Sequence, residues 1–355
     1  MTILAIETSC DETSIAIAEF RGSRGTGRVR VHAHLVWSQI PLHQKFGGVV
    51  PHLAKREHER NLPLLLDAAL KKAGFSRAAP PVEAIAVTYG PGLAPALWTG
   101  VNFAKRCALR WKKPLIPVNH MEGHLFSALL EKQREKKFQF LIRLVQFPAL
   151  ALLVSGGHTE LVRMEGYGKY AILGETRDDA AGEAFDKVAR ILGLRYPGGP
   201  EISRRAKRGD SGAHPFPSPM LHSKDYDFSF SGLKTAVLYF VRDFPHTKFG
   251  AKTKADIAAS FQKAVVDVLI AKTIRAAREY KVKTVILGGG VAANVSLRER
   301  LGREVKKVMP HARFFVPEAE LTGDNALMIA AAAYFSGKKK APNKIGARAN
   351  ARLSD

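Results

Sequence analysis

The sequence predicts an α/β protein with two related lobes and a cleft between them. Two segments about 150 residues apart share one pattern, in which alternating apolar strands flank a polar turn: ILAIETSCDETSIAIAEF (3–20) and ALALLVSGGHTELVRM (149–164). Each half then contains another apolar strand that enters a glycine-rich turn: AIAVTYGPG (84–92) and TVILGGGVAAN (284–294). Strands that alternate with helices favour this fold class, and the repetition indicates an internal duplication.

The remaining ranges complete the predicted organisation. Helical segments are predicted at 56–74, 96–111, 179–193 and 295–308. Residues 131–146 are predicted to be a charged helix end or insertion, and the Pro/Ser/His-rich range 209–227 a long loop. We predict an N-terminal lobe of residues 1–119 and 325–337, a C-terminal lobe of residues 120–324, and a basic mobile tail of residues 338–355.

The composition favours a polyanionic partner and a reducing compartment. The 355 residues include 55 Lys plus Arg against 32 Asp plus Glu, a net charge of +23. Nucleic acid is the first candidate, contacted through phosphates because no base-reading module is evident; solubility in the host is the alternative. Two cysteines, Cys10 and Cys107, offer no disulfide framework. We find no signal peptide, and the apolar run 326–335 is too short to span a membrane, so we expect a cytoplasmic protein.

The motif NHMEGHL (119–125) is a candidate metal site. His120 and His124 are spaced i, i+4, so on a helix both imidazoles share one face, as zinc or iron(II) requires; two unrelated surface histidines are the alternative. Met121 occupies the position at which a zinc protease of the HExxH type needs glutamate. Asp324 in TGDN is a candidate third ligand, although Asp324 or Asn325 could instead cap the following helix.

Three glycine turns are candidates for phosphate binding: SGGH (155–158), YPGGP (196–200) and LGGGVAAN (287–294). None of them matches the P-loop or the dinucleotide fingerprint. Asp179, Glu183 and Asp186 fall at i, i+4 and i+7, on one helical face, where they could accept from ribose hydroxyls or bind a metal. A solvated acidic face is the alternative.

Ten motifs in this order resemble one family. They are ETSCDETSIAI, LAKREHERNLP, TYGPGLAPAL, NHMEGH, LVSGGHTEL, DDAAGEAFDKVARILGL, YPGGP, FSFSGLKTAV, LGGGVAANVSLRE and TGDNALMIA, and they span Leu4 to Ala333. The chain resembles the TsaD family of tRNA N6-adenosine threonylcarbamoyltransferases, once called O-sialoglycoprotein endopeptidases. The resemblance implies an actin-like/Hsp70-like ATPase fold, in which two lobes of duplicated ribonuclease-H-like units enclose a central cleft.

The resemblance also implies a reaction and a set of site residues. The family transfers a threonylcarbamoyl group from threonylcarbamoyl-AMP to N6 of the adenosine next to the anticodon, in tRNAs that read ANN codons. By motif, the metal ligands are His120, His124 and Asp324, for one divalent ion, iron or zinc. The catalytic residue is Asp11. The residues implied to bind the adenylate, or ATP or AMP, are Val154, Ser155, Gly156, Gly157, His158, Asp186, Gly199 and Asn294, and we expect His158 to face the ligand.

The family pattern implies partners and leaves alternatives. The implied partners are the tRNA anticodon stem-loop, and either a degenerate paralogue with a small ATPase, as in bacteria, or a kinase-containing assembly. One departure from the pattern is Asn119, where many family members have a histidine. A small-molecule kinase of the same fold would not explain the histidine pair and the charge of +23. A non-catalytic structural subunit should have lost the metal triad, and a metalloprotease lacks its glutamate.

Overall fold

The computed structural model describes residues 1–23, 26–133, 139–245, 247 and 249–354. It contains two compact units. Unit 1 comprises Met1–Val145, Tyr167–Lys169 and Pro317–Asp355, and unit 2 comprises Gln146–Gly166 and Tyr170–Val316.

Twelve strands are found among the described residues. In unit 1 they are β1 (Thr2–Glu7), β2 (Glu12–Arg21), β3 (Arg28–Ser38), β4 (Ala84–Gly90), β5 (Leu115–Asn119), β6 (Leu130–Lys132) and β7 (Gln139–Ile142). In unit 2 they are β8 (Ala149–Val154), β9 (Thr159–Gly166), β10 (Lys169–Glu175), β11 (Thr284–Gly288) and β12 (Arg313–Phe315). The first two strands of each unit lie on either side of the polar turns that the sequence predicts.

Ten α-helices are described. They are α1 (Ile40–His43), α2 (Pro51–Ala73), α3 (Ala94–Trp111), α4 (His120–Ser127), α5 (Ala181–Ile191), α6 (Gly198–Ala206), α7 (Ser231–Asp243), α8 (Ala251–Glu279), α9 (Val295–Val308) and α10 (Ala326–Phe335). The four predicted helical segments correspond to α2, α3, α5 and α9. The predicted loop at 209–227 contains neither helix nor strand. None of the described helices is long and apolar enough to cross a membrane.

The two sheets repeat one topology, which confirms the predicted duplication. The sheet of unit 1 has the order β5-β4-β1-β2-β3-β7-β6, and that of unit 2 has the order β10-β9-β8-β11-β12. In both units the first two strands form an antiparallel hairpin, and a later strand pairs in parallel with the first: β4 with β1, and β11 with β8. A parallel pair requires a long crossover, which the intervening helices provide.

The core of unit 1 has helices on both faces of its sheet. Side chains such as Leu4 and Ile6 pack with α2 and α3. Because successive strand residues point to opposite faces, Ile3 and Ala5 face the other side, where α10 contacts β1 and β2. Helix α10 is apolar on every side, as a helix buried on all faces must be.

The structure divides the chain at different residues from the predicted lobes. His120–Val145 belongs to unit 1, because α4 packs against α10, and β7 pairs with β3. The range 131–146, predicted as a helix end or insertion, contributes the end of β6 and all of β7, whereas 134–138 lie outside the described residues. Burial alternates along β7, where Phe140 and Ile142 are buried, but three consecutive apolar residues hide this alternation in the sequence.

The tail predicted to be mobile makes defined contacts within unit 1. Lys340 and Leu115 exchange main-chain hydrogen bonds of 2.7 and 3.2 Å, and Arg348 N donates to Tyr89 O at 2.8 Å. Ile345 is buried in the core beside α3. The tail lacks apolar periodicity because it docks as an irregular strand that covers the edge strand β5. Residue 355 lies outside the described residues.

Gly100 sets the distance between α3 and the β1–β2 hairpin. A Cβ atom at Gly100 would lie 2.2 Å from the Oγ1 atom of Thr8, a buried residue whose hydroxyl donates to Ala96 O. We expect Gly100→Ala to lower the free energy of unfolding by about 1–3 kcal/mol through overpacking. A fall in the urea midpoint would show this, and the control Asn102→Ala, at an exposed position on the same helix, should leave the midpoint nearly unchanged.

Candidate functional site

Three predicted metal ligands converge in unit 1. His120 and His124 lie on α4, and Asp324 lies in the turn before α10, with candidate ligand atoms all within 4.8 Å of one another. The Nε2 atoms of His120 and His124 are 3.4 and 3.1 Å from Asp324 Oδ1. Both histidines are buried, whereas the Asp324 side chain is 20% exposed. The site is therefore accessible through the carboxylate side.

The packing of α4 against α10 brings these residues together. Gly123 lies between the two histidines, and a Cβ atom there would be 2.9 Å from Ile329 Cδ1 and 3.0 Å from Met328 Cγ. The glycine of the HMEGH motif is thus a point of close helix contact. The spacing places both imidazoles on one face, and the close contact keeps that face beside Asp324.

The structure shows which of residues 324 and 325 caps helix α10. Asn325 is the N-cap of α10, since its side chain accepts from Met328 N at 3.0 Å. Asp324 is not needed as a cap, and its carboxylate faces the two imidazoles. Asn325 therefore has the structural role of helix cap, and the neighbouring Asp324 remains free for the candidate ligand role.

The donor set fits a divalent cation. Two imidazoles and one carboxylate are ligands that zinc and iron accept, and three protein ligands leave coordination positions open. His124 Nε2 has no partner with hydrogen-bond geometry among the described residues, even though Asp324 Oδ1 is 3.1 Å away. This is expected where ring and carboxylate point to a common position rather than at each other.

A separate cavity of about 280 Å³ lies in unit 2. Four of the eight predicted adenylate-binding residues line it: Gly156, Asp186, Gly199 and Asn294. The other four are not among its lining residues: Val154 ends β8, and Ser155, Gly157 and His158 belong to the same turn as Gly156. His158 N donates to Ser155 Oγ and His158 O accepts from Ser155 N, so this turn closes on itself.

Glycines give the cavity its open space. A Cβ atom at Gly156, Gly199 or Gly290 would meet no other atom within 4 Å, and all three residues line the cavity. Close packing within the protein therefore does not explain why these three positions are glycine. Gly199 is in the first turn of α6, where its N–H has no partner within the helix and favours an anion. Pro197 and Phe185 add apolar walls that suit a flat ring.

Two of the lining polar residues also have structural partners. Asp186 accepts from Gly198 N at 2.6 Å, and so holds the start of α6. Asn294 caps α9 by accepting from Leu297 N at 3.1 Å, and its amide donates to Gln262 at 2.8 Å. Both side chains are thereby fixed in orientation at the cavity wall.

The acidic stretch 178–186 does not form the single helical face that its spacing predicts. Helix α5 begins at Ala181, so Asp179 precedes it. Asp179 binds Lys187 Nζ at 2.6 Å, and Glu183 binds the same ammonium at 2.9 Å. Of the three predicted acceptors, only Asp186 reaches the cavity. Lys187 thus neutralises part of the negative charge of this acidic cluster.

Comparison with known proteins decides the family. A sequence profile described as "tRNA N6-adenosine threonylcarbamoyltransferase" (TsaD) matches residues 30–331. The chain belongs to the TsaD family. Membership places it among the acyltransferases that act in the synthesis of threonylcarbamoyladenosine in tRNA, as the resemblance implies.

TsaD relatives align over nearly the whole chain. Proteins named tRNA N6-adenosine threonylcarbamoyltransferase from Ralstonia pickettii and Thermosipho africanus are each 48% identical to it. The alignments cover 93% and 96% of this chain, and 90% and 95% of those proteins. The protein of the same name from Enterococcus faecalis is 46% identical over 95% of this chain and 90% of its own length.

A solved structure supports the fold alone. The crystal structure of T. kodakarensis HypF superposes with a TM-score of 0.58 at 15% identity, over 94% of this chain and 47% of that one. The chain therefore spans about half of that protein. Together with the family assignment, the match confirms the predicted α/β class with an actin-like ATPase fold.

Asn119, the departure from the usual TsaD pattern, has a structural role in this chain. Its side chain caps α4 by accepting from Met121 N at 2.9 Å, and its amide donates to Arg352 O at 3.1 Å. Asparagine is a better N-cap than histidine, so the substitution leaves His120 and His124 in their places on the helix.

Glu7 is a site residue outside the predicted sets of metal ligands and adenylate-binding residues. It ends β1, is fully buried, and lies with Oε2 3.2 Å from Nδ1 of His120. Ser9 N donates to its Oε1 at 2.5 Å, and the Thr88 hydroxyl donates to Oε2. A buried carboxylate that accepts from one ring nitrogen orients the other toward a metal. A glutamate at the end of an otherwise apolar strand was the available signal, since burial requires a partner.

The electrostatics of the triad suit a cation. Burial raises the pKa of Glu7, but His120 lowers that pKa by more, and it lies below its usual value. Burial lowers the pKa of His120, while Asp324 and Glu7 raise it, so the pKa lies well above its usual value. Burial likewise raises the pKa of Asp324, and His120 and His124 lower it overall. Two carboxylates thus attract positive charge into a buried position, which a divalent ion would supply.

We expect Glu7→Gln to weaken metal binding by about 10–100-fold, because the amide no longer attracts a proton onto His120 Nδ1. Competition between the full-length protein and a chromogenic chelator measures this affinity. Glu19→Gln is the matched control in the same hairpin, since Glu19 lies near the other end of β2 and pairs with Arg21 at 2.6 Å. Equal affinities of the Glu7→Gln and wild-type proteins would contradict the positioning role.

Asp11 lies in the β1–β2 turn and is buried. Its main-chain oxygen accepts from Gln39 N at 2.9 Å. Ser9, two residues before Asp11 in the same turn, has its Oγ atom 3.1 Å from Nδ1 of His120. The predicted catalytic residue is therefore in the neighbourhood of the candidate metal ligands within unit 1.

His58 on α2 holds this turn and was also missed. It is buried, its Nε2 donates to Cys10 O at 3.0 Å, and its Nδ1 lies 2.8 Å from Thr13 Oγ1. Because a carbonyl only accepts, Nε2 carries the proton and Nδ1 accepts from the hydroxyl. The turn that carries Asp11 is thus fixed from both ends by one imidazole.

Proposed function

We propose that this chain transfers the threonylcarbamoyl group of threonylcarbamoyl-AMP to N6 of the adenosine next to the anticodon, in tRNAs that read ANN codons. The observation that carries the proposal is the convergence of His120, His124 and Asp324 in a chain of the TsaD family. In the reaction a C–N bond forms between N6 and the carbamoyl carbon, the bond from that carbon to the phosphate oxygen breaks, and AMP leaves with the electron pair.

The residues of unit 1 would serve the carbamoyl chemistry. His120, His124 and Asp324 would hold one divalent ion, iron or zinc, which when bound supplies Lewis acidity. Glu7 keeps the Nδ1 proton of His120 in place, so that Nε2 faces the ion. Asp11 orients the attacking amine or accepts its proton, as a carboxylate in a fixed, buried turn can.

The residues of unit 2 would bind the nucleotide. The N–H group of Gly199 in the first turn of α6, and the open space at glycines 156, 199 and 290, would receive the phosphate. Asp186 would accept from ribose hydroxyls with the lone pairs that Gly198 N does not occupy. Val154, Ser155, Gly157 and His158 would act by shaping the turn that carries Gly156, and Asn294 by closing the opposite wall.

The tRNA substrate implies further components. We propose the bacterial arrangement, a degenerate paralogue with a small ATPase, because the relatives named above come from bacteria. A cytoplasmic location follows from the tRNA substrate. The amine to be modified belongs to a base that must leave its stack before an enzyme can reach it.

Nucleoside analysis tests the proposed function. Full-length protein with its partner subunits is incubated with threonylcarbamoyl-AMP and an unmodified tRNA transcript that reads an ANN codon, and the digested tRNA is analysed by mass spectrometry. We expect threonylcarbamoyladenosine in this tRNA and none in a transcript whose target adenosine is replaced by guanosine. Absence of the product from the first transcript would refute the function.

A further inference from the structure

Two stretches of the chain carry positive charge without any acidic residue. Residues 84–121 contain no Asp or Glu, and their five basic residues are Lys105, Arg106, Arg110, Lys112 and Lys113. Residues 325–354 likewise contain no Asp or Glu, and their six basic residues are Lys338, Lys339, Lys340, Lys344, Arg348 and Arg352. The first stretch includes α3, and the second includes the tail that docks on unit 1.

The docked tail joins these stretches into one surface. The antiparallel main-chain pairing of Leu115 with Lys340 places Lys340 at the start of β5, two residues beyond Lys113, and directs Lys339 toward Ile116. Farther along the tail, a Cβ atom at Gly346 would lie 3.5 Å from the ring of Trp98, so Lys344 and Arg348 flank the opposite end of α3. We call these eleven basic residues the α3–tail surface.

The charges of the α3–tail surface are directed to solvent. All six basic residues of the tail are exposed, as are Arg106, Arg110 and Lys112. Two carboxylates lie nearby: Glu83 is 3.4 Å from the N-terminal amine and also interacts with Lys339, and Asp67 pairs with Arg77 at 2.8 Å. Exposed charge of one sign along two stretches of chain without acidic residues is the footprint of a polyanion-binding surface.

One end of the α3–tail surface reaches the candidate site of unit 1. Ala349 O accepts from Gly92 N at 3.1 Å, and the next residue, Leu93, donates to Ser9 O at 2.8 Å. Arg352 O accepts from the side chain of Asn119, the cap that precedes His120. The basic surface therefore ends at the two segments that carry Asp11 and His120. Trp98, 43% exposed with Lys105 Nζ 5.8 Å from its ring, adds a face on which a base can stack.

We propose that the α3–tail surface binds the phosphate backbone of the tRNA substrate and leads it to the site in unit 1. This inference rests on the proposed function, because tRNA is the polyanion on which the family acts. RNA backbone fits better than a protein partner, because the positive charge continues along the surface without alternating acidic residues.

Binding of an unmodified tRNA transcript to the full-length protein, measured at several salt concentrations, tests the surface. The test variant carries Lys112→Gln, Lys113→Gln, Lys339→Gln and Lys344→Gln. The control variant carries Lys283→Gln, Arg303→Gln, Lys306→Gln and Lys307→Gln, exposed positions of unit 2 that remove the same charge. A truncation is avoided, because it would also remove Ile345 from the core. Unchanged melting temperatures show that both variants fold.

We expect the test variant to lose at least about tenfold in affinity at physiological salt, and its slope of log K against log salt to fall by about 3. The control variant should change the slope by less than about 1. Equal losses in both variants, or wild-type binding by the test variant, would overturn the inference. So would unchanged tRNA binding with loss of a partner subunit, which would make the surface a protein interface.

Failure of this inference and failure of the proposed function are separable. If the wild-type protein forms threonylcarbamoyladenosine while the test variant binds tRNA normally, only the surface is refuted. If the wild-type protein forms no product, the proposed function fails, whichever variant binds tRNA.

Discussion

Asp324→Ala is expected to reduce threonylcarbamoyl transfer about 10³-fold, because a Lewis acid contributes several kcal/mol and each 1.36 kcal/mol corresponds to about tenfold. Asp324 is the common partner of both imidazoles, with Oδ1 3.4 and 3.1 Å from their Nε2 atoms. Its removal leaves two ligands on one helix, which are insufficient for a tight site. The protein should also purify with less metal, measured by elemental analysis.

Glu320→Ala is the matched control for Asp324→Ala. Glu320 lies four residues earlier, is 51% exposed and pairs with Lys132 at 2.9 Å. This variant should keep its metal content and its rate of transfer to tRNA. If the Asp324→Ala variant modified tRNA at the wild-type rate, the metal would have no role in the reaction. Loss of activity in both variants would indicate that this region was merely destabilised.

Gly199→Val should weaken AMP binding by up to about 10²-fold, since overpacking costs about 1–3 kcal/mol. A side chain at Gly199 meets no protein atom within 4 Å and projects into open space where Gly199 lines the cavity of about 280 Å³. The free energy of unfolding should therefore change little, while the dissociation constant for AMP, measured by calorimetry, rises.

Gly232→Val controls for the effect of valine itself. Gly232 is the second residue of α7, as Gly199 is of α6, and its added Cβ would also meet nothing within 4 Å. Gly232 does not line the cavity, so this variant should bind AMP like the wild type. Equal AMP affinities of the Gly199→Val and wild-type proteins would place the nucleotide elsewhere.

The sequence by itself determined the features that depend on local spacing. Apolar alternation identified the hairpins of both units, and their repetition revealed the duplication that the two sheets confirm. The i, i+4 spacing placed His120 and His124 on one helical face. These inferences succeed because strand and helix geometry are fixed by the backbone over a few residues.

Only the tertiary structure decided the contacts between residues distant in the chain. It placed Glu7 behind His120, assigned the capping role to Asn325 rather than to Asp324, and paired Asp179 with Lys187 in place of a ligand. It also brought the basic tail onto α3. Such contacts depend on which elements pack together, and local periodicity carries no information about the partner across the fold.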